Sequence, residues 1–329
     1  MTGVAIALLG AFGFAMMNVT VRRAGRLGDI DDGVFTTVVV NIAVFGSLIV
    51  LRLLLAGSLP VDFAGTAAFV VAGLCSTFLG RMTLFGGIRR IGAARASAIK
   101  NATPLVTVAI AVALLGERPD PGGILGMAVL LSGIFLLVRE TLVGALPILD
   151  DPVEAGIEDE ARLQAIAPPA RFDPEPQGRD LAAVIRRGII LACLSTLFFG
   201  TGHAMRKVGM DILPDAILGA AIGSATAIIA LSLSHLSRRG LGRTLRATFL
   251  RPRRLFWLAG LMSCLGQICF FVALEFAPVS FVSVVAASET VLTVLLAALV
   301  MRRAEAITLR VVVPAALVFA GSAIIAILG

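Results

Sequence analysis

Three ionisable residues lie deep inside apolar stretches of this chain: Arg81, Lys100 and Glu289. A charge at the centre of a membrane helix costs roughly 2.5–3.5 kcal/mol on insertion scales, so it normally faces a cavity or a partner. Two cations and one carboxylate around one cavity suit the charged ends of a zwitterionic or carboxylate-bearing solute. Arg81 lies seven residues before the end of its apolar run, and Lys100 about six after the start of the next. At about 1.5 Å of rise per residue, an antiparallel hairpin places both roughly 10 Å from the same membrane surface. Polar neighbours recur at helical spacing, with Thr77 a turn before Arg81, Thr103 and Thr107 after Lys100, and Thr293 after Glu289. Asn101 adds a donor and an acceptor beside Lys100. Asn18 and His203, each near the end of its run, are weaker candidates for substrate contact.

Blander readings stand beside this one. Either cation could snorkel to a headgroup, and Lys100 with Glu289 could form a purely structural ion pair. Asn18 and His203 could be interface polar groups, and Pro104 a packing kink. Glu117 and Glu305 sit at helix ends, where a solvated charge needs no function.

Other chemistries lack their residues. Cys75, Cys193, Cys264 and Cys269 all fall in apolar stretches without CxxC spacing and read as small buried hydrophobes. His203 and His235 have no HExxH or other zinc-ligand context, and no Walker motif is present. Neither paired aspartates nor a Ser/Lys dyad occurs within the spans, and no filter motif or charged ring marks a channel. The expectation is a non-enzyme without metal or cofactor.

The elements that must hold these residues follow from composition. The 329 residues are 58% apolar and 15% charged, against roughly 45–50% and about 25% in soluble domains. The formal charge is +7, with cations at the ends of apolar runs rather than in a basic stripe with stacking aromatics, which argues against nucleic-acid binding. Apolar runs near 3–21, 34–55, 66–88, 94–115, 121–138, 188–205, 215–236, 255–275, 279–301 and 306–328 are each about the length of a membrane helix. The first has Arg22 and Arg23 behind it, not before it, and so reads as a span instead of a cleaved signal. The expected fold is all-α and integral to the membrane, with ten transmembrane helices.

Residues 139–185 break this composition. They hold ten of the 21 acids, with Pro168-Pro169 and Asp173-Pro174-Glu175-Pro176, and read as a solvated, mostly disordered linker that could include a short helix near 158–166. The linker divides the chain into 1–138 and 186–329, five spans each. A shift of 184 puts Phe14 on Phe198 and Arg22-Arg23 on Arg206-Lys207. At 186, Leu79-Gly80 falls on Leu265-Gly266 and Thr107 on Thr293, and at 188 Glu117 meets Glu305. The shift of 186 also pairs Arg81 with Gln267 and Thr77 with Ser263, which adds Gln267 to the candidate contacts. Five spans per half require the second repeat to be inverted, a recurring plan of secondary transporters with the site between the repeats.

The segment Gly92-Ala93-Ala94-Arg95-Ala96-Ser97, then Thr103-Pro104-Leu105-Val106-Thr107, ending in Leu115-Gly116-Glu117-Arg118-Pro119, resembles the fourth helix of EamA-type carriers of the drug/metabolite transporter superfamily. Ala277-Pro278-Val279, Ser288-Glu289-Thr290 and Arg303-Ala304-Glu305 repeat it. The resemblance implies a ten-helix permease, usually an exporter of small metabolites, with a central cavity lined largely by helices 1, 3, 4, 6, 8 and 9. Two departures are the long acidic linker and the loss, in the second repeat, of the glycine before the glutamate and the proline after it. Expected partners are the bilayer of a cell membrane, a small-molecule substrate, and protons or a counter-substrate, with the chain acting as a monomer or homodimer. The resemblance implies cytoplasmic termini. The cation count favours the opposite, because the loops after odd-numbered spans hold most of the Arg and Lys, seven of them between Arg238 and Arg254.

Overall fold

The computed structural model describes residues 2–25, 30–91, 96, 99–142, 179–238, 240–249, 254–300 and 309–328. Their elements are α1 (Thr2–Gly25), α2 (Ile30–Ala56), α3 (Phe63–Ala72), a π-helical turn (Gly73–Leu79), α4 (Gly80–Ile91), α5 (Thr103–Leu114) and α6 (Pro121–Leu142). The second half has α7 (Arg179–Ile212), α8 (Ala216–Arg238), α9 (Leu241–Phe249), α10 (Arg254–Phe276), α11 (Val279–Ala286), α12 (Glu289–Val300) and α13 (Leu309–Leu328). Among these residues, six helices are long and apolar enough to cross a membrane, and four shorter apolar helices accompany them. Leu54, Leu55, Phe63, Leu114, Phe135 and Leu233 point outward, as a surface in contact with hydrocarbon requires. The chain is an integral, multi-pass, all-helical membrane protein.

Several expected boundaries move. The linker was expected to run to residue 185, yet α7 begins at Arg179, and it continues to Ile212 instead of stopping near 205. Polar residues at that end find partners inside the fold. Lys207 Nζ lies 2.7 Å from Asp211 Oδ1 one turn on and donates to the Leu274 carbonyl at 3.3 Å. The short helix expected near 158–166 lies outside the described residues, as does Glu305. α9, a short helix between the seventh and eighth spans, was not expected. It docks through Thr248, whose Oγ1 lies 3.2 Å from that of Thr36 on α2.

The packing is crossed between halves. α1 lies against α10, while α7 lies against α3, the π turn and α4; α12 packs on α1 as α5 packs on α7. Each such pair becomes the other when the repeats are exchanged, and the last spans of the two halves, α6 and α13, pack on each other. Close approach depends on small residues. A Cβ added to Gly13 would sit 2.8 Å from the Gly266 nitrogen, and one on Gly321 would sit 2.5 Å from the Leu130 nitrogen. The cysteines are all free, but the expectation of four buried ones is corrected: Cys193 is exposed on α7 and Cys75 half-buried, and only Cys264 and Cys269 are buried.

Glu117 corrects another expectation. It is not merely solvated. α11 begins after Pro278, which has no side-chain acceptor to cap it, and the Glu117 carboxylate reaches across from the first half. It accepts from Val279 N–H at 2.7 Å and Ser280 N–H at 3.1 Å. Two charge-assisted bonds to otherwise orphaned helix donors join the repeats at this end. Glu117→Ala is expected to destabilise the protein by about 1–3 kcal/mol, read as a lower midpoint in thermal unfolding, with Glu117→Gln losing less. An unchanged midpoint in Glu117→Ala would show that water replaces the cap at no net loss.

Candidate functional site

Two spans expected to be continuous helices are broken inside their apolar runs, in equivalent places. In the fourth, Asn101 and Ala102 form a turn before α5 starts at Thr103. In the ninth, Ala287 and Ser288 form a turn between α11 and α12. At both breaks the ladder tightens to i→i−3 bonds: Ala102 N to Ile99 O at 3.0 Å, and Ser288 N to Val285 O at 3.1 Å. Pro104, in the first turn of α5, has no N–H to continue the ladder and fits a helix start. Side chains satisfy carbonyls at both breaks. Thr196 Oγ1 donates to Ile99 O at 3.1 Å, Thr103 Oγ1 to Lys100 O at 2.6 Å, and Ser288 Oγ to Val285 O at 2.6 Å. The third span is irregular at a similar depth. Ser76 Oγ donates to the Ala72 carbonyl at 2.7 Å, competing for the acceptor that its own N–H would use in an α-helix, and the Gly80 N–H reaches back five residues to Cys75 O.

These irregular segments surround a cavity of about 140 Å³. That volume is below the roughly 300–1,000 Å³ of drug-sized pockets and suits a small solute. Arg81, Lys100, Glu289, Asn101, Gln267, Thr103, Asn18 and His203 all line it. Lys100 Nζ pairs with Glu289 Oε1 across the repeats, with 22% and 14% of the two side chains exposed. The next residue on each side bonds likewise, Thr290 Oγ1 donating to Asn101 Oδ1 at 2.8 Å. Both contacts span 189 positions and join the two breaks to each other. Lys100 also lies 5.4 Å from the centre of the Phe199 ring. Arg81 Nη1 donates to Thr37 Oγ1 on α2 at 3.3 Å. Neither cation reaches for a headgroup.

Asn18 and His203 stand about two turns inside the ends of their helices, because α1 and α7 extend beyond their expected ends. His203 Nδ1 is 3.5 Å from Ser283 Oγ, and its ring is 4.6 Å from that of Phe270. Gln267 is buried and donates to Ser263 Oγ at 3.3 Å.

One charged lining residue was not expected. Arg206, 6% exposed, donates from Nη2 to Ser76 Oγ at 3.0 Å and lies about 5 Å from the ring centres of Phe270 and Phe271. The fall in hydropathy at Arg206-Lys207 looked like the end of a span. The available signal was helical spacing: Phe199, His203 and Arg206 stand at i, i+4 and i+7, on one face.

A polar, ion-paired cavity between two helical repeats, walled by broken membrane helices, is the architecture of a solute carrier. The EamA-like transporter family model matches residues 1–139 and 186–327, and the chain belongs to that family, whose members are membrane transporters of the drug/metabolite type. A solved crystal structure with 16% identity superposes with a TM-score of 0.63, over 98% of this chain and 95% of the other. That likeness concerns the fold alone. No curated protein matches the chain.

Proposed function

We propose that this protein is a secondary transporter, not an enzyme, that moves a small carboxylate-bearing or zwitterionic metabolite across a cell membrane by alternating access. The observation that carries this reading is the Lys100–Glu289 pair. It joins the broken fourth and ninth spans across the repeats, so rocking one repeat against the other must strain or remake the contacts at the cavity. The second repeat is inverted relative to the first, since each half has five spans. Arg81, Lys100 and Asn101 receive the anionic end of the substrate, helped by the positive N-terminal end of α5. Glu289 receives a cationic end or a proton, and Asn18, Thr103, His203 and Gln267 complete the wall. Export is the direction we assign, by analogy with the family. The plan of two repeats around a central site, shared with secondary transporters, supports a gradient of protons or a counter-substrate as the driving force.

A thermal-shift screen of the purified protein against classes of small metabolites tests this reading. A ligand at 100 times its Kd adds about 2.7 kcal/mol to native-state stability, so small carboxylates or zwitterions should raise the unfolding midpoint and simple cations should not. Stabilisation by cations alone would overturn the assignment.

A further inference from the structure

The charges around the cavity do not balance. Arg81, Lys100 and Arg206 line it, and Glu289 is the one carboxylate among its described lining residues. Glu289 pairs with Lys100. Among the described residues no carboxylate forms a salt bridge with either guanidinium; Glu289 acts on Arg81 only through space, while its own salt bridge is to Lys100. Arg81 rests on the Thr37 hydroxyl, and Arg206 on the Ser76 hydroxyl between two phenylalanine rings. Hydroxyls and ring faces orient a guanidinium and soften its desolvation, but they do not cancel its charge. Each guanidinium carries five N–H donors, and among the described residues one nitrogen of each is engaged in a protein hydrogen bond, Nη1 of Arg81 and Nη2 of Arg206. The remaining forks suit the paired oxygens of a carboxylate or phosphate.

We propose that Arg81 and Arg206 form a two-guanidinium anion subsite beside the Lys100–Glu289 pair, and that the substrate is a small dianion, either a dicarboxylate or a phosphate monoester. This rests on the reading of the cavity as the substrate site, and it names the charge of what that site takes. A monoanion leaves one guanidinium uncompensated in a low-dielectric enclosure, whereas a dianion neutralises both. Residue type supports the assignment. Both unmatched cations are arginines, whose planar fork binds two oxygens at once, while the lysine is the cation that already has its acid.

The test is binding to the full-length purified protein, with malonate and glycerol phosphate as dianion probes and propionate and methanesulfonate as monoanion controls. At least one dianion should bind wild type about tenfold or more tightly than its control, and which probe wins assigns carboxylate or phosphate. In Arg206→Gln the dianion should lose about tenfold more affinity than the monoanion, and Arg206→Lys, which keeps the charge without the fork, should fall between. If Arg206→Gln does not fold, Arg206→Lys and the wild-type comparison decide. In addition, wild-type affinity for glycerol phosphate should rise as pH passes the second ionisation of a phosphate monoester, near about 6, with methanesulfonate as the flat control. Equal affinity for dianions and monoanions in wild type, or equal losses of both in the Arg206 variants, would overturn the subsite and leave a monoanion carrier standing. If no anion of either charge binds and Arg81→Gln changes nothing, the reading of the cavity as an anionic-substrate site itself falls.

Discussion

Arg81→Gln is expected to weaken binding of an anionic substrate by roughly tenfold to over a hundredfold, the equivalent of one charge-assisted hydrogen bond of about 1.5–3 kcal/mol. The geometry makes this variant the cleanest probe of the cavity. Arg81 forms no salt bridge among the described residues, and Glu289, which acts on it through space, keeps its pairing with Lys100, so glutamine removes a positive charge without leaving a negative one unpaired. Its protein contact, a 3.3 Å bond to Thr37 Oγ1, is one that glutamine can partly replace with its amide. Lys100→Gln should show a comparable loss of anion binding with an added fall in stability, because it leaves Glu289 unpaired. An uncharged analogue should lose far less in either variant. Isothermal titration with matched charged and neutral ligands reads the difference. Equal losses for both would assign Arg81 to packing or folding.

Glu289→Gln is expected to abolish pH-driven accumulation in proteoliposomes while substrate exchange persists. The carboxylate is the one cavity group among the described residues that can give up negative charge by taking a proton, and it sits at the break of the ninth span, where the repeats meet. Removing its charge leaves three cations unopposed, so anion binding should hold or tighten and native stability should fall. Breaking a buried pair at one end costs about 3–5 kcal/mol. With 14% of the Glu289 side chain and 22% of that of Lys100 exposed, the lower end of that range applies. The double variant Lys100→Gln with Glu289→Gln should regain much of this stability, since neither charge is then left alone. Loss of accumulation and exchange together, without recovery in the double variant, would make the pair a structural clamp and not a coupling site.

What could be read from the residues alone divides along a physical line. Ten apolar runs, the composition break at 139–185 and the internal repeat are local properties, and hydrocarbon leaves a helix as the one way for an isolated span to satisfy its backbone. Fold class and family likeness were therefore legible. So were Arg81, Lys100 and Glu289, because a charge within twenty apolar residues is conspicuous whatever surrounds it. Arg206 was not. Three residues after His203 and beside Lys207, it had the hydropathy signature of a helix end, and what keeps α7 helical past it is tertiary: Ser76 and two phenylalanine rings for Arg206, the Leu274 carbonyl for Lys207. The role of Glu117 was hidden for the same reason, since the N–H groups it caps lie more than 160 positions away.

Sequence by itself determined that this chain enters a membrane as a two-repeat helical bundle and that a few charges inside it must find polar company. Which company they find was decided by the tertiary structure. Apolar periodicity gives a span its length and depth but says little about its rotation in lipid, where every outward apolar face is equally well solvated. Rotation is set by backbone contacts such as Gly13 on Gly266 and Gly321 on Leu130, which depend on both halves being present. Contacts between the halves also join the two broken spans through Lys100 with Glu289 and Asn101 with Thr290, and Arg81 and Arg206 face the same cavity with no acid in a salt bridge to either among the described residues.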